Sequence, residues 1–276
     1  MLTSLLLVLL LGSDAFIDRH VVRDCAGPNL DQALVACGRI IDVMPHSARQ
    51  VAFAYLYRGR AQYLKRDPEH AIADYSKAIA IDPRLAEAFS ERGSAYLALK
   101  RIDLAIGDCT QAIQINPSNA AYHYNCGNAR WHGHQFDNAI ADYDEAIRLQ
   151  PEFALAYMNR GLTKAEQGST QAALDDLTEA IRLDGTNTDA LYDRGLMYGR
   201  LGELSKAVDD FSAVIRVHPR EPDTYKLRAV AQRELGHVEE AVKDFRQATE
   251  LDPSDIESAR ALSELMAQVR LPTGTP

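Results

Sequence analysis

A spacing of 34 residues constrains this chain more than any other feature. Gly59, Gly93, Gly127, Gly161 and Gly195 recur at that interval, and Ala229 takes the next place. Pro83, Pro117 and Pro151 keep the same step, Gly185 fills the fourth place, and Pro219 and Pro253 follow. Two alanine series run in phase. One is Ala71, Ala105, Ala139, Ala173, Ala207 and Ala241; the other is Ala78, Ala112, Ala146 and Ala180, then Val214 and Ala248. Self-similarity at one fixed period is the mark of an array, in which each unit buries its apolar face against the next.

Each series has a physical cause. The glycine and the first alanine fall on two successive helices, and small side chains let those helices approach closely. The second alanine does the same against the following repeat. Proline lacks a donor N–H and disfavours helix in the residue before it, so it separates repeats. Between the alanines the apolar residues fall at helical spacing, as in AIADYSKAIAIDP. Gly168, Gly202 and Gly236 mark the turn between the two helices of the later repeats.

These residues resemble the tetratricopeptide repeat family. Tyr55, Gly59, Ala71, Tyr75, Ala78 and Pro83 match its pattern in order, and Phe89, Gly93, Ala105, Ala112 and Pro117 match it again, with Cys109 in the second aromatic place. The resemblance implies an all-α fold, a right-handed superhelix of helix pairs. Six full repeats are expected at 52–85, 86–119, 120–153, 154–187, 188–221 and 222–255. Residues 16–51 read as an N-terminal half-repeat, with Ala33, Cys37, Ile40 and Pro45 at second-helix offsets and a degenerate first half starting near Cys25. Residues 256–270 read as a capping helix that Asp255 caps. Ile256, Ala259, Leu262, Leu265 and Val269 are expected to cover the last repeat. The closing 271–276 segment, LPTGTP, lacks helix formers and reads as a disordered tail.

The 276 residues carry a net charge of −9, with charges of both signs interspersed. An acidic chain lacks the counterion-release term that drives nucleic-acid binding. The apolar run Leu2–Leu11, with Ser13 and Ala15 behind it, has the length of a signal-peptide core and is too short to span a bilayer. Residues 1–15 therefore read as a signal peptide, which places the chain in the periplasm or outside the cell; a cytoplasmic scaffold is the alternative.

Two features depart from the family pattern. Arg58, Arg92, Arg160, Arg194 and Arg228 stand immediately before the glycine, where leucine is commoner. Asp74, Asp108, Asp142, Asp176, Asp210 and Asp244 stand on the second helices. A partly buried guanidinium needs an anionic partner, so Arg–Asp pairs are expected inside the stack. The partner Asp lies in the same repeat or the preceding one, and the other reading of the series is an anion-binding stripe. Cys126 interrupts the arginines and Cys109 the aromatics, both at one junction. They form either a disulfide or two buried thiols; Cys25 and Cys37 are the other expected bridge, given export.

No nucleophile motif, phosphate loop or dinucleotide fingerprint appears, so no enzyme activity and no cofactor is expected. His132 and His134, with His123 upstream, read as exposed turn residues and not as metal ligands, because no Cys or carboxylate set completes a site. The expected function is a non-catalytic scaffold for another protein or a peptide, with no nucleic acid and no membrane span. Family members hold ligands along the first helices, which by resemblance selects Tyr124, Asn125, Asn128, Trp131, Met158, Asn159, Leu162, Tyr192 and Asp193. Trp131 either lines that face or packs as local core. Some members clamp a carboxylate with Lys, Asn and Arg. Asn128 and Asn159 fit two of those places, but Tyr124, Asp189 and Asp193 stand where cations are needed.

Overall fold

The computed structural model describes residues 19–42 and 47–270, which form fifteen α-helices and no strand. They divide into two compact units that meet at Pro151 and Glu152. The first unit holds α1 (Arg19–Cys25), α2 (Leu30–Asp42), α3 (Ala48–Leu64), α4 (Pro68–Ile81), α5 (Ala86–Ala98), α6 (Ile102–Ile115), α7 (Ala120–His132) and α8 (Phe136–Leu149). The second holds α9 (Ala154–Glu166), α10 (Thr170–Leu183), α11 (Thr188–Arg200), α12 (Leu204–Val217), α13 (Pro222–Glu234), α14 (Val238–Leu251) and α15 (Ile256–Arg270). Within each unit, helices pack on their sequence neighbours, giving the stacked helix pairs of a tetratricopeptide solenoid.

The small residues do what their spacing implies. At Gly127, an added Cβ would meet the ring of Tyr143 at 2.5 Å. At Gly59 it would meet Tyr75 at 2.8 Å. In these repeats the second-helix aromatic packs against the first helix's backbone where only glycine leaves it room, while in the sixth repeat Ala229 fills that place beside Phe245. Tyr75, Tyr143, Phe211 and Phe245 are buried there, with the alanines of both series around them.

The linkers follow from proline chemistry. Asp82, before Pro83, leaves α4 at φ −129° and ψ 92°, and Asp252, before Pro253, has φ −129° and ψ 91°. These are extended angles, as a pre-proline residue requires. The midpoint turns were only half legible. Gly168, Gly202 and Gly236 have φ of +79°, +75° and +81°. In the first three repeats Arg66, Lys100 and His134 hold that left-handed place, at +65°, +58° and +56°. Each costs roughly 1–2 kcal/mol relative to glycine.

The ends differ from expectation in register. The first helix of the half-repeat is α1, which ends at Cys25 and does not start there. Ala33, Cys37 and Ile40 of α2 are buried as expected, while Pro45 lies outside the described residues. In α15 the buried side chains are Ser258, Ala261 and Leu265, with Leu262 packed beside them. Ile256 is 80% exposed and Ala259 is exposed too, so neither covers the last repeat. Ile256 is the first residue of the helix, directly after the Asp255 cap, and it precedes the turn that meets α14. Asp255 does cap the helix: its Oδ1 accepts from the N–H groups of Glu257 and Ser258. The Val269 side chain, the 1–15 segment and the 271–276 tail lie outside the described residues.

Two disulfides join neighbouring helices of the first unit. Cys25–Cys37 ties α1 to α2, with Cα atoms 4.8 Å apart. Cys109–Cys126 ties α6 to α7 at 5.2 Å.

Candidate functional site

The Arg–Asp series resolves into same-repeat pairs. Arg58 donates from Nε and Nη2 to Asp74 at 2.7 and 2.9 Å. Arg92–Asp108, Arg160–Asp176, Arg194–Asp210 and Arg228–Asp244 repeat this two-point contact. Nη1 then reaches a hydroxyl of the preceding repeat: Arg92 to Ser76, Arg194 to Thr178 and Arg228 to Ser212. The guanidiniums also lie over rings, as Arg58 does over Tyr55 at 5.3 Å. Hydrogen bonding to the carboxylate raises the pKa of Arg92 and Arg194 above the ordinary arginine value. Of the two alternatives the sequence left open, these pairs follow the same-repeat one; what reaches the preceding repeat is a bond to a hydroxyl, not to an aspartate. In all five pairs Nε and Nη2 are taken by the aspartate of the same repeat, which favours a structural pair over an anion-binding stripe.

The third repeat departs from this. Cys126 stands in the arginine place, and Asp142 is reached instead by Arg130 Nη1 at 2.7 Å, from one turn further along α7. One donor replaces two. Burial pushes the Asp142 carboxyl up to about 6, against the opposing pull of Arg130 and His123. Burial and contact disagree in sign at this site, and burial wins because the contact is single-point.

The sequence-selected surface residues fall in two sets. In the first unit, Tyr124, Asn125, Asn128 and Trp131 lie half-buried on α7. Tyr124 packs on the Tyr143 ring, 6.1 Å between centroids. Asn125 donates to Ser90 Oγ at 2.9 Å, and Asn128 Oδ1 accepts from the Tyr143 hydroxyl at 2.8 Å. Trp131 is half-exposed, with the His132 ring against it at 4.8 Å and its Nε1 enclosed without an acceptor. The indole therefore has one packed edge and one open one.

In the second unit, Met158, Asn159 and Leu162 are half-buried on α9, and Tyr192 and Asp193 are half-buried on α11. Met158 Sδ accepts from Asn187 at 3.6 Å, which links α9 to the N-terminal end of α11. Tyr192 sits edge-on to Phe211. Asp193 is raised to about 6 by burial and then by repulsion from Asp189. Lys226 on α13 is held by Asp255 and Glu257.

One cluster escaped the sequence reading. On the first helices of the first unit, Arg60 Nη2 donates to Glu87 at 2.6 Å and to Glu91 at 2.7 Å, and Nε adds 3.2 Å to Glu91. Burial opposes the Arg60 charge, but the two glutamates hold its pKa above the ordinary value. Tyr122 beside them is pushed up to about 12 by burial and then by Glu87 and Glu91. The spacings of 27 and 31 residues were the only signal, hidden among charges that read as solvated faces. His132 and His134 are exposed, and His123 is buried with Nε2 2.9 Å from the Pro117 carbonyl. Among the described residues no cluster of His, Cys, Asp or Glu is placed to hold a metal ion, and no helix is long and apolar enough to cross a membrane.

Family models described as TPR repeat match residues 59–100 and 134–168, and models described as tetratricopeptide repeat match 86–119, 154–187 and 192–256. No curated protein matches the chain. Among solved structures, it is similar to YrrB, described as a TPR protein with an unusual peptide-binding site, at 20% identity and TM-score 0.58, over 68% of this chain and 97% of that one. It is similar to pilF of Pseudomonas aeruginosa at 18% and 0.69, over 81% and 100%. It is also similar to PilW, described as a widely conserved type IV pilus biogenesis factor, at 22% and 0.68, over 79% and 99%. Identities this low establish a shared fold.

Proposed function

This chain belongs to the tetratricopeptide repeat family, and from that premise we propose that it is a non-catalytic protein–protein interaction scaffold of the bacterial cell envelope, binding a peptide segment or partner subunit along its first helices. One observation carries the reading. The arginine–aspartate pairs between helices are matched within the chain, whereas the first helices leave tyrosine, tryptophan, methionine, leucine and aspartate side chains half-open to solvent. Rigid aromatics with adaptable polar neighbours are what a protein-binding face uses. The peptide-binding site named for YrrB supports the same use of the fold.

The envelope assignment rests on the two disulfides, since such bridges persist in oxidising compartments, and on the apolar run Leu2–Leu11. The likeness to pilus biogenesis proteins points the same way. A tagged full-length chain, cross-linked in cells and purified from the envelope fraction, tests the reading. One partner should recur, be identified by mass spectrometry, and be lost with Tyr124→Ala plus Trp131→Ala or with Met158→Ala plus Tyr192→Ala. Retention of the partner in both double variants would remove the first-helix reading. Protein recovered only in the cytoplasm with four alkylated cysteines would turn the assignment to a cytoplasmic scaffold.

A further inference from the structure

The two units carry the same acidic pair at the same place in the repeat, and only one pair has a cation. Asp189 and Asp193 stand three repeats after Glu87 and Glu91, one helical turn apart on α11 as the glutamates are on α5. The glutamates grip Arg60, which arrives from the first helix of the preceding repeat. The residue three repeats after Arg60 is Leu162 on α9. The second unit thus repeats the carboxylates of the grip and replaces the gripped side chain with a leucine.

We propose that Asp189 and Asp193 form a seat for an arginine side chain of the bound partner, flanked by apolar partner residues on Leu155, Leu162 and Tyr192. This rests on the scaffold reading and names the chemistry of its ligand. Among the described residues no cation of this chain pairs with Asp189 or Asp193: on α11 and α13, Arg194 and Arg228 are held by Asp210 and Asp244, and Lys226 by Asp255 and Glu257. Helix position accounts for Asp189, a first-turn acid facing the positive end of α11. It does not account for Asp193, which lies half-buried in mid-helix, with burial and Asp189 both acting against its charge. Aspartate is one methylene shorter than glutamate, so the seat is set deeper and suits a long side chain reaching in from outside. The same two first helices carry open apolar side chains: Leu155 is 44% exposed, and Met158, Leu162, Tyr192 and Leu196 are half-buried. Guanidinium matches paired carboxylates in geometry better than ammonium does.

The test uses the full-length chain and a fluorescein-labelled peptide with one central arginine between leucines, read by fluorescence anisotropy. The same peptide with citrulline keeps the shape and removes the charge. The arginine peptide should bind, and citrulline or Asp193→Asn should each weaken it by about tenfold or more. Leu162→Arg should fill the seat from within and abolish binding. Equal affinity for the arginine and citrulline peptides, no binding of the arginine peptide, or unchanged affinity in Asp193→Asn would overturn the proposal. Asp193→Asn loses a charge and no volume, so its test stands even where Leu162→Arg fails to fold. A cellular partner that binds wild type and Asp193→Asn alike, but is lost with Met158→Ala plus Tyr192→Ala, would sink the seat and leave the scaffold reading standing.

Discussion

Replacing Asp210 and Asp142 by asparagine, one at a time, asks whether the rungs of the Arg–Asp series differ as their geometry says. Asp210 accepts from Arg194 Nε at 2.9 Å and from Nη2 at 2.7 Å, with side chains 7% and 17% exposed. Its asparagine variant leaves a nearly buried guanidinium without a counter-charge. Breaking one side of such a pair costs about 3–5 kcal/mol. Asp142 has one contact, and its carboxyl is raised to about 6. An acid whose folded pKa exceeds its unfolded value binds the proton more tightly in the native state, so its contribution to stability is lost as pH rises from about 4 to about 6. Some two pH units correspond to at most about 3 kcal/mol of penalty at pH 7. Asparagine carries no charge and still accepts from Arg130, so Asp142→Asn should be neutral to stabilising at pH 7, with the gain gone at pH 4. Urea unfolding followed by circular dichroism at both pH values measures this, with hydrogen exchange assigning the change to its repeat. A loss at pH 7 in Asp142→Asn equal to that in Asp210→Asn would refute the ranking.

Gly127→Ala puts a methyl 2.5 Å from the Tyr143 ring, which the Asn128 contact holds in place; thermal unfolding should show a loss of about 1–3 kcal/mol. Gly38→Ala, with nothing within 4 Å, should gain about 0.5–1 kcal/mol from helix propensity in the same assay. Reductant opens both bridges of the first unit and should destabilise it by about 3 kcal/mol for each loop, and non-reducing peptide mapping should recover Cys25–Cys37 and Cys109–Cys126. Asp193→Asn should stabilise the chain at pH 7 and not at pH 4, since Asp193 too is raised to about 6; a loss of stability at pH 7 would contradict it.

The sequence showed best what depends on backbone approach. Glycine under Tyr75 or Tyr143 and proline after Asp82 are demands that no other residue meets as well, so their period is legible without coordinates. The arginines were legible because a charge in an apolar place must have a partner. Three things were hidden. The three left-handed turns of the first unit are filled by Arg66, Lys100 and His134, whose side chains give no warning of φ. The face of α15 had no following repeat to fix its phase, and Ile256 proved exposed while Ser258 was buried. The Arg60 grip joins residues 27 and 31 apart, a relation between repeats that no single-helix pattern displays.

The Nη1 contacts have a thermodynamic consequence. A bond from Arg92 to Ser76, or from Arg228 to Ser212, crosses from one repeat to the next, so each such rung is a nearest-neighbour coupling in a one-dimensional array. Where Cys126 removes the arginine, the junction is closed by a covalent bond to Cys109. Oxidised, the α6–α7 junction stays tethered even where its packing is lost, so the repeats on either side should unfold together. Reduced, it lacks both the bridge and the arginine coupling of its neighbours, and unfolding should gain a boundary there. The redox state of one cysteine pair should therefore change how many repeats unfold together.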